Sequence, residues 1–108
     1  MAMRNHYLVM KWHYDYDKEG TWFDEDDGCE QYEIKEGASY SLPHMHGKTL
    51  TIQSVKECDG TVEACIHAGY ESYTVKSGGD PVEGYVHHDY SAAGDSVSTS
   101  LYMTFTVT

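Results

Sequence analysis

Apolar and polar residues alternate with period two through most of this chain. From Asn5 to Tyr16, Leu8, Met10, Trp12, Tyr14 and Tyr16 share one side. Tyr7, Val9, Lys11, His13 and Asp15 share the other, as a half-buried strand requires. Ser96–Thr108 repeats the pattern. Val97, Thr99, Leu101, Met103, Phe105 and Val107 line one face, and Ser98, Ser100, Tyr102, Thr104, Thr106 and Thr108 the other. No segment carries the 3.6-residue apolar period over three turns, so little or no helix is expected.

The stretch Gly47–Val75 predicts a hairpin around Asp59-Gly60. A two-residue loop there would set Leu50 and Ile52 against Gly69 and His67, splitting the apolar set. A three-residue loop, Cys58-Asp59-Gly60, sets Leu50 against Ala68 and Ile52 against Ile66. The hydrophobic pattern selects that register, since a one-residue slip inverts every side chain. Val55 then falls on the wrong face, which calls for a bulge or a second buried surface.

Asp17-Lys18-Glu19-Gly20 predicts a turn returning Thr21–Asp24 antiparallel, with Tyr16 opposite Trp22. Asp24–Glu30, acidic and carrying Gly28, reads as a loop. Gln31–Leu42 reads as one bent strand or two short ones, and Leu42–Gly47 as a connection, because Pro43 cannot donate to a central ladder. Ser77–Pro81 breaks the chain. Val82–Tyr90 alternates weakly, and Ser91–Asp95 turns. The sum is one all-β domain over residues 1–108, an antiparallel sandwich or small barrel of about seven to eight strands.

Composition changes this picture little. Leu, Ile, Val and Phe total only 17 residues, but ten Tyr, two Trp and five Met supply the missing apolar area. Charge changes it more. A net charge of −11 opposes direct contact with nucleic acid and favours a basic protein surface as partner. No run is long and apolar enough for a membrane span, and no basic-then-apolar leader opens the chain. Cys29, Cys58 and Cys65 are odd in number, which favours free thiols and a cytoplasmic setting. Ser96–Thr108 has few charges, and at a sheet edge it would invite a homodimer.

Three constellations carry candidate chemistry. The first is an acidic, aromatic face: ten of the 18 carboxylates lie between Asp15 and Glu36. Asp15, Asp17, Trp22, Asp24, Glu25, Asp26, Asp27 and Tyr32 would dock there on a basic protein. Carboxylates would stand in for phosphates and aromatics for bases, the logic of small inhibitors that mimic nucleic acid. The second is Asp15, Asp17, Glu19 and Asp26, spaced like a calcium loop, which would make the chain a calcium-stabilised module. The third is His44-x-His46 with His87, a set suited to zinc. It would belong to a small metal-dependent barrel enzyme of cupin-like form. No nucleophilic motif, phosphate loop or paired CxxC is present.

Overall fold

The computed structural model describes residues 6–19, 21–45 and 47–108. Asn5, Gly20 and His46, each part of an expectation above, lie outside the described residues. Among the described residues eight strands are found: β1 (Tyr7–Lys18), β2 (Trp22–Glu33), β3 (Ser39–Ser41), β4 (Thr49–Cys58), β5 (Thr61–Ala68), β6 (Glu71–Lys76), β7 (Val82–Ala92) and β8 (Asp95–Val107). They form two separate four-stranded antiparallel sheets, ordered β2-β1-β8-β7 and β3-β4-β5-β6. The chain is therefore a β-sandwich and not a closed barrel. Among the described residues no helix is long and apolar enough to cross a membrane.

The alternation read from the sequence decides what is buried. Leu8, Met10 and Tyr14 of β1, and all six apolar-face residues of β8 from Val97 to Val107, are buried. Facing them from the second sheet are Leu50, Ile52, Val62, Ala64, Ile66, Ala68 and Val75. Each large side chain of this kind contributes roughly 1.5–3 kcal/mol by leaving water.

The hairpin at Asp59-Gly60 reconciles two readings. Leu50 does oppose Ala68, and Ile52 opposes Ile66. The turn itself has two residues: Cys58 pairs with Thr61, and Asp59 and Gly60 both take positive φ, 51° and 79°. A register shift between Ile52 and Ser54 absorbs the difference, and beyond it Val55 opposes Ala64. The bulge lets the apolar register and the favoured turn geometry coexist.

Three expectations need correction. Asp24–Glu30 is not a loop but the middle of β2, because β1 supplies a full hydrogen-bonded partner from Tyr7 to Lys18. Gly28 sits opposite Trp12, and a Cβ there would lie 2.3 Å from the indole Cζ2. The glycine is a seat for that ring, not a chain breaker. Tyr16 opposes Asp24 and not Trp22, since the strand runs on to Lys18, opposite Trp22. Finally, β8 pairs with β1 on one side and β7 on the other, so 96–108 offers no free edge for a homodimer.

The sheets are staggered, and the molecule measures 58 × 21 × 19 Å. The β4–β5 tip projects past one end, where Ser77 N–H donates to Val62 O beside Val107. At the other end the first sheet runs on beyond Gly69, whose neighbour across the sandwich is Val86. There Trp22 and Tyr90 are exposed.

Candidate binding face

Strand alternation splits the acidic run across two surfaces. Asp15 and Asp17 of β1 and Phe23, Glu25 and Asp27 of β2 point outward from the first sheet, by the pairs Asp15↔Glu25, Asp17↔Phe23 and His13↔Asp27. Trp22, Asp24, Asp26 and Tyr32 belong to the inner side. Tyr32 is only 8 % exposed and packs 4.7 Å from Tyr40, so it is core and cannot anchor a partner. Burial pushes its hydroxyl up to about 12, with Glu30 and Tyr40 adding to the effect.

The outer face centres on His13. Its Nδ1–H donates to Asp27 Oδ1 at 2.5 Å and its Nε2–H to Asp15 Oδ1 at 2.8 Å. The two carboxylates raise the His13 pKa, Asp27 having the larger effect and Asp15 the next. Glu25 completes the group: one ligand atom from each of His13, Asp15 and Glu25 lies within 4.8 Å of the others. Once one ring nitrogen gives up its proton, an imidazole and two carboxylates make a nitrogen–oxygen donor set suited to a divalent transition metal.

Across the same face, β8 and β7 continue the pattern. His87 Nε2 lies 2.9 Å from Asp89 Oδ1, and its Nδ1 lies 3.0 Å from Ser100 Oγ. Ser98 and then His87 hold the Asp89 carboxyl below its usual range. The Tyr85 and Tyr102 rings meet at 5.1 Å, 45 % and 46 % exposed, and Phe23 is 66 % exposed. By register, the four strands put seven carboxylates on this face (Asp15, Asp17, Glu25, Asp27, Glu33, Glu83, Asp89) against one lysine, Lys11, while Lys35, just past β2, reaches Glu33 Oε1 at 3.6 Å.

The other two constellations do not assemble. Asp15 and Asp17 point outward along an extended strand, Glu19 Oε1 accepts from Ser96 N–H, and Asp26 is turned to the opposite side of the sheet. A hairpin with period two cannot converge these groups as a twelve-residue loop does. His44 lies on the inner side, its Nε2–H donating to Asp26 Oδ2 at 2.6 Å, while His87 is on the outer face. His44 holds the Asp26 carboxyl below its usual range. The His44–His87 pair therefore cannot share an ion, and His46, the other member of that set, lies outside the described residues.

No known protein family, curated protein or solved structure matches the chain. Function rests on the geometry alone. The residues that sequence reasoning missed are His13, Phe23, Tyr85 and Tyr102. The last three are aromatics at polar-face positions of their strands, a signal readable once the alternation is trusted.

Proposed function

We propose that this protein is a small binding module whose outer first-sheet face docks on a basic protein surface, blocking it by charge mimicry where that surface binds nucleic acid. The carrying observation is that folding gathers seven carboxylates with Phe23, Tyr85 and Tyr102 on one face whose described strands hold a single lysine. Four strands of 11 to 13 residues present roughly 600–700 Å², close to one side of a standard interface. Carboxylates steer a cationic partner in, and half-exposed rings supply anchors that lose little entropy on burial. The three free thiols, Cys29, Cys58 and Cys65, fit a cytoplasmic setting.

Reversing Asp15, Glu25 and Asp27 together to Lys should weaken capture of the partner by roughly 100-fold or more. Reversing Glu36, Glu57 and Asp80, which changes net charge equally, should weaken it only a few-fold. Pull-down in low salt followed by titration of the captured protein checks this. Equal losses from both triples would reduce the effect to bulk charge and refute the face.

A second reading is favoured by the His13, Asp15 and Glu25 cluster: the outer face takes a divalent metal ion such as Zn²⁺. Protein freed of metal with a chelator should then bind one equivalent of Zn²⁺ in calorimetry, and His13→Ala should lose at least tenfold in affinity. Zinc uptake indifferent to His13 would discard this reading.

A further inference from the structure

A second site lies on the opposite side of the first sheet, where the stagger leaves a step. The second sheet stops near Gly69, the first continues, and His44, Met45 and Lys48 border the gap. The result is a cleft of about 340 Å³. Its floor is Thr99 on β8, 3 % exposed, whose hydroxyl donates to His88 O at 2.8 Å. One wall is Tyr14 with His44 stacked on it, ring centroids 4.4 Å apart and 14° from parallel. The other is His88 stacked with Tyr90 at 5.6 Å. In register, Tyr16, Thr99 and His88 lie on adjacent strands, so the walls flank the floor by one strand each.

We propose that this cleft binds a small planar aromatic anion. Volume fixes the size. Drug-sized pockets span roughly 300–1,000 Å³, and this one lies at the small end, enough for one or two fused rings. The walls fix the shape, because two aromatic–imidazole pairs offer flat faces for stacking. Charge fixes the sign. The chain carries 18 acidic and seven basic side chains, yet among the described residues no carboxylate lines this cleft. Its cation is Lys48, whose Nζ lies 4.5 Å over the Tyr70 ring, and His88 adds an imidazole.

The aim of His44 supports the assignment. It follows Pro43 at φ +58°, the position of a proline turn that ordinarily takes Gly. A histidine there carries backbone strain. Asp26 behind the ring and Tyr14 beneath it hold the imidazole against that strain and keep it at the cleft wall.

The test uses the full chain and three probes of one shape: 2-naphthoate, neutral 2-naphthamide and cationic 2-naphthylmethylammonium. In ¹H–¹⁵N spectra, naphthoate should give saturable shifts at Met45, His88 and Thr99, with the two other probes at least tenfold weaker. Lys48→Met should erase the preference for the anion over the amide, whereas Lys56→Met, distant on the β4–β5 tip, should keep it. Folding of both variants is verified by circular dichroism. Equal binding of anion and amide, unchanged preference in Lys48→Met, shifts located elsewhere, or no saturation below about 1 mM naphthoate would each overturn the assignment.

Discussion

Phe105→Ala is expected to lower the unfolding free energy by about 3–5 kcal/mol. Phe105 has no solvent exposure, and its ring lies 5.6 Å from that of Tyr73 in the facing sheet. It stands on β8 opposite Met10 of β1 and Val82 of β7. A void under a central strand cannot close readily, because that strand is bonded on both sides. The cost should therefore fall near the top of the range for aromatic truncation. Domains of this size are stable by roughly 5–15 kcal/mol, so the variant should be marginal at physiological temperature. Urea unfolding followed by tryptophan fluorescence should show a lower midpoint with an unchanged slope. A loss under 1 kcal/mol would mean that the sheets do not meet at this ring.

Gly69→Ala should destabilise by about 2–4 kcal/mol for two separable reasons. Gly69 adopts φ +68° in the turn between β5 and β6, where an alanine is strained. Its new Cβ would also lie 2.4 Å from Val86 Cγ2 on β7. The strain belongs to the turn alone, and the clash depends on the valine. Val86→Ala removes both offending methyls at its own cavity cost. The double variant should therefore be more stable than the two single losses predict, by about 1–3 kcal/mol. Strict additivity in urea titrations would show that Gly69 matters through backbone conformation only.

How much of this was legible in the sequence depended on what each feature needs. The faces of β1 and β8 follow from alternation alone, and all the buried residues of those strands lie on the predicted sides. The β2 strand was hidden because Asp, Glu and Gly are poor strand formers by themselves. It exists because β1 offers it a continuous ladder, and because Gly28 makes room for Trp12. Its register differs from the predicted one by two residues. Faces survive such a shift and partners do not. Tyr16 consequently loses Trp22, and His13 meets Asp27.

The site was legible to the same degree. The carboxylate density between Asp15 and Glu36 pointed to the right part of the chain. What it concealed was that alternate residues leave on opposite sides, so Asp24 and Asp26 part company with Glu25 and Asp27. The inner cleft was not readable at all. Thr99, His88 and Tyr14 are brought together by the stagger of two sheets, a quantity set by packing between elements distant in sequence.

The order β2-β1-β8-β7 has a kinetic consequence. The two halves of the first sheet are local hairpins, but only the β1–β8 ladder joins them, and it sets Leu8 opposite Val107. Nearly the whole chain, second sheet included, must be enclosed as a loop before that ladder can zip. Its entropy is spent before most core contacts return anything. A topology so dominated by distant pairings folds in roughly milliseconds to seconds. Until the ladder forms, the facing edges of β1 and β8 are held apart, each with its hydrogen-bonding groups open. The carboxylates along β2 keep that waiting half soluble, so the residues offered to a partner in the folded protein also guard the chain while it folds.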